Sequence, residues 1–167
     1  MNAEDTLAAL RSGDEADLRD TGTRAEVTGL LAGSLQPGDH ALARRLLAAE
    51  IAALTGAGAG ATETLYTLVA IVARYADPGD ALLIWRARMA TPETRAGLDV
   101  EQMARAGLAG VRGRLTELAQ SGGPRAHDAA AALQWVVAGA ATGAFDDLPG
   151  YFAWSDERYG LHVSGAT

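Results

Sequence analysis

Helix start signals divide this chain into short segments, and they limit the folds available to it more than any other feature. In such a signal, a side-chain oxygen before the segment accepts a backbone N–H of the first turn, and a residue three positions later can reach back. Pairs of this kind occur at Asn2 with Asp5, Thr23 with Glu26, and Asp99 with Gln102. Further caps are predicted at Asp39, Thr62, Asp77 and Thr91. Because Gly and Pro separate the segments, the pattern predicts consecutive helices joined by short turns.

Two apolar segments are predicted to form the core. The segment from Leu65 to Ala76 (LYTLVAIVARYA) has no wide polar face, which predicts a central helix with neighbours on several sides. The run ALLIW, from Ala81 to Trp85, is short enough for a strand. We predict a helix there, because the start signal Asp77-Pro78 precedes the run and no alternating partner strand exists.

Composition favours an all-α fold, predicted as an irregular multi-helix bundle in a single domain of 167 residues. Apolar residues make up 49% of the chain, mostly Ala and Leu, and aromatic residues only 5%. N-terminal helices are expected over 1–36, a helical core over 39–142, an aromatic arm over 145–162 and a frayed tail over 163–167. The arm carries Phe145, Tyr151, Phe152, Trp154 and Tyr159. In the core, an alanine-rich helix is predicted to present Ala126, Ala129, Leu133, Val137 and Ala140 along one side.

One stretch resembles a known kind of protein. LLIWRARMATPETRAGLDVEQM, residues 82–103, contains a tryptophan-bearing helix followed by a Gly-Leu-Asp turn. It is similar to uncharacterised bacterial proteins of HEAT-like helical-repeat type, and the resemblance extends from Asp39 to Asp147. The resemblance implies a short HEAT-like α-solenoid and brings no activity or catalytic residue with it. Since the sequence shows no self-similarity of fixed period, the compact bundle remains the alternative.

The residue types exclude several chemistries. All fourteen basic residues are arginine, and the chain has no lysine and no cysteine. A Schiff base, a P-loop lysine, a thiolate nucleophile and a zinc knuckle are therefore excluded. The histidines lack metal-ligand spacing, and the glycines of the stretch 56–61 follow a helix rather than a strand, so that stretch predicts a flexible connector. We expect no metal and no cofactor, and no catalytic residue is identified.

Charge and hydropathy limit the partners and the location. A net charge of −7 opposes nucleic-acid binding and favours a basic protein partner, a cationic toxin being one example. The first residues lack the basic region of a signal peptide, and no run of eighteen apolar residues occurs. These observations predict a cytoplasmic protein without a membrane segment, and the use of arginine in place of lysine indicates a high-GC bacterial genome.

One constellation is a candidate functional site. It consists of Trp85, Arg86 and Arg88 on one helix, Asp99 after it, and Trp154, Tyr159 and His162 in the aromatic arm. It is interpreted either as a structural network, in which an arginine binds Asp99, or as a recognition surface rich in Arg and Trp.

Two hypotheses about function follow. The leading one is a non-catalytic helical interaction module that binds a protein partner, or pairs with itself through an alanine-rich face. The competing hypothesis is a small helical enzyme or ligand-binding protein with a pocket beneath the arm. There Arg88 would bind an anion, and Asp99 or His162 would move a proton.

Overall fold

The computed structural model describes residues 2–13, 18–56 and 60–162. Within these residues the chain forms ten α-helices and two 3-10 helices, and no β-strand. The α-helices are α1 (Ala3–Ser12), α2 (Thr21–Gly33), α3 (His40–Thr55), α4 (Thr62–Arg74), α5 (Ala81–Arg88), α6 (Pro92–Gly97), α7 (Glu101–Ala104), α8 (Leu108–Gln120), α9 (Ala126–Ala141) and α10 (Leu148–Arg158). The 3-10 helices are Pro37–Asp39 and Pro78–Asp80. The all-α prediction is therefore confirmed at the level of class.

The chain divides into two compact units, which we describe separately. Unit 1 comprises Met1–Val72 and Ser155–Thr167, and unit 2 comprises Ala73–Trp154. The boundaries fall inside α4 and α10. The HEAT-like solenoid and the single domain stay predictions, and the predicted tail over 163–167 and part of the glycine connector (57–59) lie outside the described residues.

Several caps are as the sequence predicts. The side chain of Asn2 accepts the backbone N–H of Asp5 at 2.8 Å, and Asp77 accepts that of Gly79 at 2.7 Å. Thr91 and Thr94 form a reciprocal capping box at the start of α6, with Pro92 at the first helical position. The run at Ala81 is helical, as expected from the start signal that precedes it.

Three predicted caps are wrong. Asp20, and not Thr23, caps α2 by accepting the Thr23 N–H at 2.6 Å. Asp39 precedes α3 without capping it, because its carboxylate binds the guanidinium of Arg11 and the backbone N–H of Gln36. Asp99 makes no side-chain cap for α7 either. In the last two cases the carboxylate binds a side chain that is distant in the sequence, Arg11 for Asp39 and Tyr151 for Asp99.

Unit 1 is built on α1, α2, α3 and most of α4. Helices α1 and α2 pack along each other, and α4 is buried nearly all round, as predicted. A buried ion pair joins α2 to α3: Arg24 Nε donates to Glu50 Oε2 at 2.5 Å. At the C-terminal end, the backbone N–H of His162 donates to the carbonyl of Ala32, and that of Leu35 donates to the carbonyl of His162.

Unit 2 is organised by α8 packed against α9, with α5 contacting both helices. Helix α8 buries Val111 and Leu115. Helix α9 buries Ala129, Ala132, Val136 and Gly139, at spacings of three and four residues. Of the residues predicted to lie along one side of this helix, Ala129 is buried, Ala126 and Leu133 are half-buried, and Val137 and Ala140 are exposed. In the part of the chain that is described, no helix is both long enough and apolar enough to span a lipid bilayer.

Candidate functional site

The predicted site residues fall into the two units. Trp85, Arg86, Arg88, Asp99 and Trp154 belong to unit 2, and Tyr159 and His162 belong to unit 1. The two groups are therefore described separately.

Arg88, in the last turn of α5, stabilises the end of α6. Its Nη1 donates to the carbonyl oxygens of Arg95 and Leu98, the latter at 3.3 Å. The backbone carbonyl of Arg88 in turn accepts the Thr94 hydroxyl at 3.0 Å. This use of the guanidinium supports a structural role, since carbonyl groups at a helix C-terminus need external donors.

The Arg88 guanidinium lies against the ring of Trp135, which in turn contacts Trp85. Its carbon lies 4.4 Å from the ring centroid of Trp135, which is 5.7 Å from the ring centroid of Trp85. Burial lowers the pKa of Arg88, and the positive charge of Arg95 lowers it further, while Asp99 opposes both effects. Arginine nevertheless stays protonated, because its intrinsic pKa is so high. Trp135 was not among the predicted residues, although it is the only aromatic residue of α9.

Asp99 is exposed and has a different partner from the one predicted. Its Oδ2 accepts the Tyr151 hydroxyl at 3.2 Å, and no described arginine forms an ion pair with it, although its charge acts on Arg88. Nearby, burial raises the pKa of Glu101, and the charge of Asp99 adds to that rise, while a backbone hydrogen bond opposes it. Asp99 thus positions Tyr151 in α10 and makes ionisation of Glu101 less favourable.

Helix α10 carries a cluster of three aromatic rings, of which Trp154 is exposed and Tyr151 and Phe152 are half-buried. The ring centroid of Tyr151 lies 5.6 Å from that of Trp154 and 5.8 Å from that of Phe152. The guanidinium carbon of Arg105 lies 4.7 Å from the Phe152 ring centroid. Trp154 is 48% exposed, and Arg86 of α5 is also exposed. Aromatic residues together with arginine are typical of protein interfaces.

Helix α9 carries a second stripe, exposed and uncharged, that is apolar except for Gln134. From Ala129 to Phe145 the sequence has no charged residue. Within that stretch Gln134, Val137, Ala138 and Ala141 are exposed and follow helical spacing; we call them the α9 face. Val137 is 46% exposed although it is apolar and β-branched. The sequence shows the uncharged run, but the side that unit 2 leaves uncovered depends on how α9 is rotated against α8.

In unit 1, Tyr159 lies beside α2. The ring centroid of Tyr159 is 5.7 Å from the Arg158 guanidinium carbon, and Tyr159 lines an opening of about 420 Å³ together with Gly29, Gly33 and Glu63. His162 is exposed, and its backbone is hydrogen-bonded to Ala32 of α2 and to Leu35, which follows that helix.

The chain was compared with known proteins in three ways. No protein-family model matches it, and neither does any curated protein or solved structure. The HEAT-like resemblance and the functional assignment therefore stay predictions.

Proposed function

We propose that this chain is a helical protein-interaction module that pairs with a second copy of itself through the α9 face. The observation that carries the proposal is the exposed, uncharged stripe of Val137, Ala138 and Ala141. An amphipathic helix normally shows polar residues on the side away from its core. An apolar stripe on that side is typical of a contact surface.

Charge favours a second copy over an acidic or a strongly basic partner. Unit 2 contains eight arginines and nine acidic residues, so it is almost neutral, whereas the chain as a whole carries −7. Two α9 faces therefore meet without bringing like charges together. Small alanine side chains let two helices approach closely, and a two-fold contact uses the same face on both subunits.

The size of the face predicts a weak dimer. Two helices crossing at one stripe bury less than the roughly 800 Å² per partner of a standard interface.

The alternative function, a ligand site at Arg88, has less support because Nη1 of Arg88 already donates to two carbonyl groups.

Light scattering after size-exclusion chromatography tests the proposal, with loading concentrations from about 1 µM to about 1 mM to cover weak association. The native mass should rise towards that of a dimer. The Ala138→Glu variant should remain monomeric, because a two-fold contact brings the two glutamates together. The Ala109→Glu variant is the matched control, since Ala109 is exposed on α8, and it should associate like the native chain. A native chain that is monomeric throughout, or an Ala138→Glu variant that still dimerises, would contradict the proposal.

A further inference from the structure

We propose that the groove between α1 and α2 in unit 1 is a docking site for a cationic amphipathic helix of a protein partner. This site is separate from the α9 face, and it does not depend on self-association.

Two adjoining openings form the groove. They measure about 580 Å³ and 510 Å³, and both are lined by Glu4, Gly29 and Leu30. Ala3 lines the first opening, and Leu7 and Ala8 line the second. The floor is thus mainly apolar and follows the direction of the two helices.

Gly29 and Gly33 make the groove deep enough for a helix. They lie one turn apart on α2, and a Cβ built on either residue would meet no atom within 4 Å. Helices normally pack with their axes about 8–10 Å apart, and the side chains at the contact set the distance. Where α2 has no side chain, a partner helix can approach to the short end of this range.

The walls of the groove carry uncompensated negative charge. Glu4 on α1 and Glu26 on α2 are both exposed and line the first opening, and neither has an ion-pair or hydrogen-bond partner among the described residues. Arg11 at the other end is already paired with Asp39 through two contacts, of 2.7 Å and 3.0 Å. Among the described residues that line it, the groove therefore offers two carboxylates and no unpaired cation.

The net negative charge of unit 1 also favours a basic partner. Unit 1 contains six arginines and twelve acidic residues, and one of the arginines, Arg24, is buried against Glu50. A second copy of unit 1, an acidic peptide or an anionic lipid surface would be repelled, whereas a basic partner is attracted over a distance of about the Debye length, ~8 Å at physiological salt.

The shape of the groove selects a helix rather than an extended peptide. Extended peptides bind either by adding a strand to a sheet edge or, as polyproline II segments, in grooves lined by aromatic side chains. The described part of unit 1 has no strand, and none of the residues that line the two openings is aromatic. A helix satisfies its own backbone groups, so it needs only an apolar floor and side-chain contacts. The expected ligand has Ala and Leu at positions i, i+3, i+4 and i+7, with Arg on both flanks.

Synthetic peptides test this proposal by fluorescence anisotropy with the full chain. The probe is a fluorescein-labelled helix of about five turns, or roughly 18 residues, with that Ala/Leu stripe and flanking Arg. A second peptide has Glu in place of each Arg. The cationic peptide should bind, and its affinity should fall as the salt concentration is raised. The anionic peptide should not bind. Equal binding of the two peptides, or no binding of the cationic one up to about 1 mM, would overturn the proposal.

Matched variants locate the site. Gly29→Leu fills the groove at an exposed helical position and should reduce binding at least tenfold. Gly113→Leu is the control, because Gly113 is also exposed and helical and has nothing within 4 Å of a built Cβ. Glu26→Gln should weaken binding about two- to fivefold, as for an exposed ion pair, with Glu157→Gln as the control of equal net charge. If Gly29→Leu bound the cationic peptide with native affinity, the groove would not be the site. The same conclusion would follow if Glu26→Gln and Glu157→Gln lowered the affinity equally.

Discussion

The substitution Glu50→Ala tests how unit 1 is held together. Glu50 is completely buried and Arg24 is 1% exposed, so each charge depends on the other. Arg24 also donates to the carbonyl oxygens of Leu18 and Arg19, and Glu50 accepts the N–H of Ala61. This one side-chain pair thus joins three parts of unit 1, namely the segment that precedes α2, helix α3, and the start of α4.

Removing one partner leaves an uncompensated buried cation, which costs about 3–5 kcal/mol. The half-buried Ala61 N–H also loses its acceptor, a loss of about 1 kcal/mol that partly overlaps with the first. Since domains of this kind are stable by about 5–15 kcal/mol, Glu50→Ala should remove a large part of the free energy of unfolding. Glu50→Gln should cost less, because the amide oxygen can still accept from Ala61.

Urea denaturation followed by circular dichroism measures these losses. The control is Glu26→Ala, an exposed position on α2 outside the pair. The double variant Arg24→Met/Glu50→Met should lose less free energy of unfolding than the single variants Arg24→Met and Glu50→Met lose together. The reason is that the double variant leaves no isolated buried charge. If Glu50→Ala lowered the free energy of unfolding by less than about 1 kcal/mol, the pair would not have the structural role assigned to it.

Three further predictions concern unit 2. Arg88→Ala should lower the free energy of unfolding by about 1–3 kcal/mol in a chemical melt, because it loses the contact with Trp135 and two hydrogen bonds; an unchanged midpoint would contradict the role at α6. Burial raises the pKa of Glu101 from 4.5, so the folded state holds this proton more tightly than the unfolded state. Protonated Glu101 therefore contributes its full stabilisation of the fold below about pH 4.5, and this stabilisation is lost as the pH rises through the folded-state pKa. Glu101→Gln should accordingly be more stable than the native chain at pH 7 and equal to it in acid, and melts at both pH values check this. Gly113→Ala should gain up to about 1 kcal/mol in thermal denaturation. Gly110→Ala should gain less or lose stability, because its Cβ would lie 3.0 Å from Pro78 Cγ.

The candidate site could be predicted only in part. The sequence identified Trp85, Arg88, Asp99 and Trp154 as residues of interest, but it did not indicate that Arg88 contacts Trp135 or that Asp99 binds Tyr151. Asp99 and Tyr151 are 52 positions apart, so no local pattern connects them. The groove between α1 and α2 was missed, although Gly29 and Gly33 were visible at a four-residue spacing.

The sequence by itself determined the helices and many of their ends. Caps such as Asn2 and Thr91 act within one turn, so the residues that form them are neighbours in the chain. The tertiary structure alone decided which carboxylates serve as caps and which bind distant arginines, as Asp39 does. It also decided that α9 buries Val136 and exposes Val137. The physical reason is that these outcomes depend on the rotation and register of one helix against another, which packing across the whole unit sets and local sequence does not.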